Sequence, residues 1–467
     1  MSIQFDSSAT VLVIGLGRAG VACTQVLRAQ GATVYATDEK PPEQLRETLA
    51  ALEVIGAHFI APEDIAMVLP TLSCAVLSPG IPLTNPLVRR VQHADIPVYG
   101  EIEVAYRLCK APIIAVTGTK GKSTTTALIG HLLRHARPEH LVHVGGNIGN
   151  PLIREVVNLT ANDWVVAEVS SFQLETIRSF RPRVSIILNI AADHLDRYFS
   201  IDEYAEAKFR IFTNQGMQDI FVGNLDDQRL AQLHWKDNDM RVHARQLWYT
   251  LGENHERAAM YLQGGNIMYA PIHGDPRPIV IMGLDEIPLA GEHNVGNVMA
   301  ALLAALAIGC DAHLLRAAVA NFTPPAHRLQ SVASIDGILY VDDSKATNPS
   351  AVEAALQTFA RPIVLIAGGR AKNTKFEAMG AMIDARAKAV VLIGEAADAI
   401  AQHVRRVPVA RVDSMERAVA EARALASDGD VVLLSPGCAS FDMFDSAEDR
   451  GERFAAAVNG IEEPAGA

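Results

Sequence analysis

The sequence predicts an α/β protein of three domains, each a mainly parallel sheet flanked by helices. Three observations predict it. Short unbroken apolar runs such as Val11–Ile14, Ile113–Val116 and Val431–Leu434 recur along the 467 residues, the pattern of strands buried on both faces. Most of these runs end in a Gly-rich or polar loop, and segments with helical spacing lie between them. The length suits roughly three domains of 100–200 residues.

Composition narrows the class further. With 49% hydrophobic, 20% charged and only 6% aromatic residues, the chain reads as an ordinary soluble α/β protein. A net charge of −12 without runs of Lys or Arg argues against general nucleic-acid affinity, so any anion must be held by a few local cations. The start, Met1–Asp6, has no basic segment followed by an apolar core, and no apolar stretch reaches membrane-spanning length. A cytoplasmic, monomeric chain without membrane insertion is expected. Five scattered cysteines without a CxxC pair suggest reduced thiols and no zinc site.

The first domain, residues 1–99, opens on a strand, a tight turn and a helix start, with Gly15, Gly17 and Gly20 spaced as GxGxxG. A second strand leads to Asp38, placed as in a Rossmann-like dinucleotide fold to accept from a ribose hydroxyl. The same turn also serves simply to pack a helix on a strand. The run Cys74–Leu77 delivers the stiff loop Ser78–Pro82 to the ligand-binding edge of such a sheet.

The second domain, residues 100–322, begins near the segment that organises the chain. A strand at Ile113–Val116 and a helix at Thr124–Leu133 flank Thr117–Thr124, a GxxGK[ST] loop that lacks the first Gly of the longer phosphate-loop pattern because Val116 stands there. Gly118 and Gly121 let backbone N–H groups close around phosphate oxygens. Lys122 can reach the β/γ-phosphates, and Ser123 or Thr124 can ligate Mg²⁺. Gly145–Gly149 is a Gly-rich turn with one amide, Asn147. Glu168 interrupts a buried strand, which is costly unless it is paired or meets a metal. The strand ending at Ile190 delivers Asp193, His194, Asp196 and Arg197 to the same edge. Lys208 sits in an amphipathic helix over 201–212, where pattern alone turns it to solvent. Residues 213–290 read as strands and turns, and the Ala-rich helix after Gly291 carries Asn294 and Asn297 on one face.

The third domain, residues 323–467, follows the helix-breaking prolines before His327 and Arg328. Four strand-then-loop units bring Asp342, Asp343, Ser344, Lys345, Thr347 and Asn348, then Arg370 and Lys372, then Gly394, then Ser435–Ser440 to one edge of a parallel sheet.

Read together, these segments resemble the Mur ligase family, ATP-dependent amide-forming enzymes of peptidoglycan precursor synthesis. TGTKGKST at Thr117, GGNIG at Gly145, AEVSSFQLE at Ala167, ADHLDRY at Ala192, AKFRIF at Ala207, GEHNVGN at Gly291, HR at His327, DDSKATN at Asp342, LIAGG at Leu365 and SPGCASFDMF at Ser435 occur in the family's order and spacing. DHLDRY, DSKATN and CASFD are similar to the branch that adds D-glutamate to UDP-N-acetylmuramoyl-L-alanine. The resemblance implies a Rossmann-like first domain for the UDP substrate, a P-loop ATPase domain and a Rossmann-like third domain for the amino acid. It implies ATP and Mg²⁺ as cofactors, and an acyl phosphate that D-glutamate then attacks.

By position in the motifs, Lys122 would hold the β/γ-phosphates, Ser123 and Glu168 one Mg²⁺, and His194 a second. Lys208 falls where the family carries a carbamylated lysine that also serves the metal. Gly118, Gly121, Thr124, Asn294, Asn297, Arg328, Asp343 and Lys345 would contact ATP. Gly17, Arg18, Asp38, Lys40 and Asn147 would contact the UDP substrate, while Thr347, Lys372, Ser440 and Phe441 line the amino-acid pocket. The chain departs from the pattern at Arg18-Ala19, Arg370-Ala371 and Ala447. Two other readings start from the residues themselves. An NAD-dependent oxidoreductase would use the first Gly-rich turn but leave Lys122 and Glu168 without a purpose. A P-loop regulatory switch would have no use for the third sheet.

Overall fold

The computed structural model describes residues 4–147, 151–193, 197–235, 242–253, 258–270, 277–289, 291–324, 326–371 and 374–461. Three sheets carry the chain. The first joins β1 (Thr10–Ile14), β2 (Thr33–Thr37), β3 (His58–Phe59), β4 (Cys74–Leu77) and β5 (Val98–Gly100) in the order β3-β2-β1-β4-β5, all parallel. The order reverses at β1. Its C-terminal end is therefore the switch point where an open sheet leaves a crevice.

The Gly-rich turn after β1 is dictated by close packing. Gly15 has φ +91°, and a Cβ on Gly20 would lie 1.7 Å from the Gly15 carbonyl oxygen, so helix Arg18–Ala29 can start this close to the strand only without a side chain there. Gly20→Ala should destabilise the protein by about 3 kcal/mol through forced displacement of the turn, read as a lower melting temperature. An unchanged melting temperature would show that the turn yields freely.

The central sheet contains β6 (Ile113–Thr117), β7 (Val142–Gly146), β8 (Trp164–Glu168), β9 (Val184–Ile187), β10 (Ile220–Asn224), β11 (Arg245–Tyr249), β12 (Met260–Gln263), β13 (Asn266–Tyr269) and β14 (Ile279–Gly283). Their order is β14-β13-β12-β11-β10-β9-β6-β8-β7, parallel except where β13 meets β12 and β14. β6 lies between β8 and β9, a second switch point, and aligns Val116 with Glu168. The third sheet orders β15 (Gln330–Ile335), β16 (Ile338–Asp342), β17 (Ile363–Gly368), β18 (Ala387–Ile393), β19 (Val409–Arg411) and β20 (Val431–Gly437) as β15-β16-β20-β17-β18-β19, with only β15 antiparallel. The expected third parallel sheet is present, with that antiparallel edge added.

The chain forms two compact units. Residues 1–288 with 295–322 make one, and residues 289–294 with 323–467 the other. In the first unit, one hydrophobic core runs from Val11 and Val34 through Ile102 and Ala105 to Val165 and Phe221, so the first two sheets share their packing. Helix Glu101–Leu108 connects them. Burial pushes the Glu103 carboxyl up, but hydrogen bonds from Ser179, the Arg178 amide and Arg107 outweigh it and hold the group below the usual carboxylate range. Its oxygens also accept from the Phe180 amide at 2.9 Å.

Two details differ from the sequence reading. The helix expected over 201–212 runs from Ile201 to Phe209 and tightens to a 3₁₀ turn over Arg210–Phe212. A helix, Gln228–Trp235, interrupts the stretch read as strands and turns. All five cysteines are free. Among the described residues no helix is long and apolar enough to cross a membrane.

Candidate active site

The site in the first unit is built at the C-terminal ends of β6, β8 and β9. Helix Lys122–Ala136 begins at Gly121, whose φ of +82° turns the chain from loop to helix, while Gly118 has φ +152°. These two angles shape the loop as a backbone cradle at a helix N-terminus, suited to an anion. Asn189 braces the cradle. Its Oδ1 accepts from the amides of Thr119 (3.1 Å) and Lys120 (2.8 Å), and its Nδ2 donates to the Lys120 carbonyl at 3.1 Å. A Cβ on Gly121 would lie 2.3 Å from Asn297 Oδ1, so buried Asn297 of helix Glu292–Ala307 packs directly on the turn. Asn294, also buried, is carried by the same helix.

Lys122 Nζ donates to the carbonyls of Gly118 (2.9 Å) and Thr119 (2.8 Å), which lays its ammonium across the loop. Ser123 Oγ donates to Glu168 Oε2 at 2.6 Å, and Asn147 Nδ2 donates to Glu168 Oε1 at 2.9 Å. Glu168 thus meets the cost of burial with two donors, and one of them is the phosphate-loop serine. Ser123 and Glu168 form an all-oxygen pair, which fits a hard cation such as Mg²⁺ whose remaining ligands come from water and phosphate. Among the described residues no group of three His, Cys, Asp or Glu side chains could hold a metal by itself. Thr124 follows Ser123 and is half-buried.

Lys208 overturns the solvent-facing reading of its helix. It is 1% exposed, its Nζ donates to the Gly118 carbonyl at 2.9 Å, and it lies 4.4 Å from the centre of the Tyr204 ring. Burial, followed by the Lys122 charge, pushes its amine well below the usual lysine range, while Asp193 and Glu168 pull the other way. Helical periodicity missed this because the helix is covered on nearly every side, with Tyr204, Ala205, Ala207, Lys208 and Phe209 all buried. His194 lies outside the described residues. Beyond it, Arg197 stacks 4.1 Å over Phe172 and pairs with Glu175 at 2.5 Å, and Glu175 also accepts from the Tyr198 hydroxyl.

In the first sheet, one Asp38 oxygen braces the Gly-rich turn and the other its own loop. Oδ2 accepts from the Leu16 amide (2.6 Å) and Oδ1 from the Lys40 amide (2.9 Å). Gly17, Arg18 and Lys40 are exposed at that edge. The Ser78 loop faces a pocket lined by Gly100, Phe172, Gln173, Thr176 and Arg197.

The second unit gathers its own polar loops at the ends of β16, β17 and β20. Burial pushes the Asp343 carboxyl up to about 7, while the Ser435 hydroxyl, donating at 2.9 Å, and Arg328 oppose the rise. His327 Nδ1 lies 2.6 Å from Asp342 Oδ2, and a Cβ on Gly451 would strike both. Lys345 pairs with Glu448. Ser440 is buried, Thr347 is exposed and Phe441 is 59% exposed; Lys372 lies outside the described residues. Arg370 forms a two-pronged pair with Glu395 at 2.8 and 3.1 Å.

Sequence reasoning missed Arg450 of helix Ala447–Asn459. Fully buried, it donates to Ser344 Oγ (2.9 Å), the Ser344 carbonyl (2.8 Å) and the Cys438 carbonyl (3.1 Å), binding two of the polar loops together. Its only sequence signal is a cation within helical spacing of Phe454. Asn189 left a clearer one, an amide inside the apolar run Ile186–Ile190.

A phosphate loop backed by a carboxylate and two lysines, in a chain that carries two further sheets with polar C-terminal edges, defines an ATP-dependent amide-bond-forming ligase. Residues 9–100 match the Mur ligase MurD-like N-terminal domain, residues 116–305 the Mur ligase middle domain, and residues 327–438 the Mur ligase glutamate ligase domain. The chain belongs to the Mur ligase family.

Among its relatives, the UDP-N-acetylmuramoylalanine--D-glutamate ligase of Pelotomaculum thermopropionicum is 42% identical over 95% of this chain and 96% of that protein. The protein of the same name from Acidobacterium capsulatum is 40% identical over 95% of each. Solved structures share the fold at lower identity. MurF from Acinetobacter baumannii has a TM-score of 0.60 at 17% identity, covering 97% of this chain and 91% of that one. The UDP-N-acetylmuramate-alanine ligase MurC from Thermotoga maritima has 0.58 at 20%, covering 97% and 100%.

Proposed function

We propose that this chain joins D-glutamate to UDP-N-acetylmuramoyl-L-alanine at the expense of ATP in peptidoglycan precursor synthesis, acting as a cytoplasmic monomer. The observation that carries the reaction type is the Lys122 ammonium lying across the Gly118–Gly121 loop, beside the Ser123–Glu168 pair. A carboxylate attacking a triphosphate is an anion approaching an anion, so positive charge must be placed in advance where the transferring phosphoryl passes. The near-full-length relatives at about 40% identity support the substrate pair.

In this reading residues 1–99 bind the UDP substrate, 100–322 the nucleotide and 323–467 the amino acid. Lys122 and the amides of the Gly118–Gly121 loop hold the β/γ-phosphates, and Asn294, Asn297, Arg328, Asp343 and Lys345 complete the nucleotide contacts. Ser123, Glu168, His194 and Lys208 would hold Mg²⁺, which when bound neutralises phosphate charge. Gly17, Arg18, Asp38, Lys40 and Asn147 contact the UDP substrate. Its alanyl carboxylate attacks the γ-phosphorus, and the bond to ADP breaks as the acyl phosphate forms. The amine of D-glutamate, held by Thr347, Lys372, Ser440 and Phe441, then attacks the acyl carbon. Phosphate leaves and the amine gives up a proton.

With Mg²⁺, ATP and UDP-N-acetylmuramoyl-L-alanine, the purified protein should release phosphate only when D-glutamate is added, in a panel of amino acids that includes L-glutamate and L-lysine. Phosphate release independent of the amino acid, or a preference for another one, would refute the assignment.

A further inference from the structure

The parallel pairing of β6 with β9 ends at Thr117 and Ile187, and beyond that point neighbouring strands of an open sheet are free to diverge. Here they stay together. The Leu188 amide donates to the Thr117 carbonyl at 3.1 Å, and a Cβ on Gly118 would lie 3.1 Å from that of Leu188. The phosphate loop therefore leaves β6 in contact with the segment that leaves β9.

Side chains then take over from the ladder. Thr119, 7% exposed, donates its amide to the Asn189 carbonyl at 3.0 Å and shares it with Asn189 Oδ1. Its hydroxyl accepts from the Ala191 amide at 3.0 Å, with the Ala191 carbonyl at 3.3 Å and the Tyr204 hydroxyl at 3.5 Å as partners for its proton. With the bonds that Asn189 makes to Lys120, residues 119–120 and 189–191 form a reciprocal clasp, each side both donating and accepting. On the other side of the segment, the Ile190 amide donates to Asp227 Oδ2 at 2.7 Å, and Asp227 Oδ1 caps helix Gln228–Trp235 through the amides of Arg229 and Leu230. Residues 188–191 are thus pinned between that helix and the phosphate loop. They run on into Asp193, and Tyr204, which the clasp also touches, carries its ring 4.4 Å from Lys208 Nζ.

We propose that Thr119 is a positioning residue whose hydroxyl locks the phosphate loop to the segment leaving β9, so that a nucleotide seated in the loop also orders the segment that runs into Asp193. The inference rests on the reading of the Gly118–Gly121 loop as the nucleotide site. A ligand that stills the loop removes motion from whatever is hydrogen-bonded to it, and the second segment is then ordered in the same event. Without the hydroxyl, which both donates and accepts, the nucleotide still meets Lys122 and the loop amides, but the segment beyond the clasp keeps its freedom. The loss falls on turnover rather than on nucleotide binding.

The test is hydrogen exchange read by mass spectrometry on wild type and Thr119→Val, with and without ADP and Mg²⁺, together with ADP dissociation constants and the rate of phosphate release. In wild type, ADP should slow exchange across 188–191 as well as across 118–124. Thr119→Val, similar in shape, should exchange faster across 188–191 and lose the ADP-dependent slowing there. It should bind ADP within about twofold of wild type while kcat falls about tenfold. Thr119→Ser, which keeps the hydroxyl, should restore both. Slowing across 188–191 that survives in Thr119→Val, a loss of ADP affinity as large as the loss in kcat, or failure of the serine variant to recover overturns the proposal. If the valine variant does not fold, wild type decides, because slowing that stops at 118–124 overturns it as well. Absence of ADP binding by wild type strikes the nucleotide reading itself and the proposal with it.

Discussion

Lys208→Ala should lose turnover by at least about a thousandfold while the protein stays folded, and short carboxylic acids such as acetate should restore a measurable part of the activity. The loss follows from position. Lys208 is buried against Tyr204 with its nitrogen on the Gly118 carbonyl, next to Lys122, so the charged form is suppressed by burial and then by its neighbour. A neutral amine is the form that adds carbon dioxide, and the product is an anion able to serve the metal that Ser123 and Glu168 suit. A small carboxylate entering the vacated space would supply the same charge. Rescue by acetate but not by methylamine separates this role from that of a cation. Full activity of the alanine variant would remove Lys208 from the site.

Lys122→Met should lower kcat by about three orders of magnitude at saturating ATP, the cost of removing one preorganised charge from phosphoryl transfer. The ammonium lies across its own loop between two carbonyls, which in the proposed reading is where the phosphates arrive. Lys122→Arg should recover little, because a planar fork cannot replace a point charge packed against Gly118 and Thr119. A single-turnover phosphate-release assay checks both variants. A change confined to KM for ATP would mean that Lys122 binds substrate and transition state equally.

Much of this architecture was legible because unbroken apolar runs mark doubly buried strands, and a glycine forced by φ or by contact marks a turn. Gly20 and Gly121 announce themselves in sequence because no other residue fits. Glu168 was legible for the opposite reason, since a carboxylate in an apolar run needs an explanation. Lys208 was not legible from pattern, because a lysine on a helix reads as solvent-facing unless the surrounding packing is known. Arg450 was hidden in the same way. Its partners are backbone carbonyls and a serine up to 106 residues away, and carbonyls leave no trace in side-chain patterns.

Helix Glu101–Leu108 gives the chain a property that its repeated strand-and-helix layout conceals. Glu101 grips the start of helix Leu152–Val156, and two residues later Glu103 grips the amides of Arg178, Ser179 and Phe180. Each bond from an amide to an ionised carboxylate contributes about 1.5–3 kcal/mol, and the apolar core runs without a break beneath them. The stretch that ends at β5 is therefore not a detachable module. Cut after Gly100, it would expose the apolar surface it shares with the central sheet, and cut after Leu108 it would also leave the amides of Ile153, Arg178, Ser179 and Phe180 without their acceptors. Grafting another family member's first domain onto this chain means transplanting this helix and both segments it clasps, so the natural unit of exchange is larger than any one sheet.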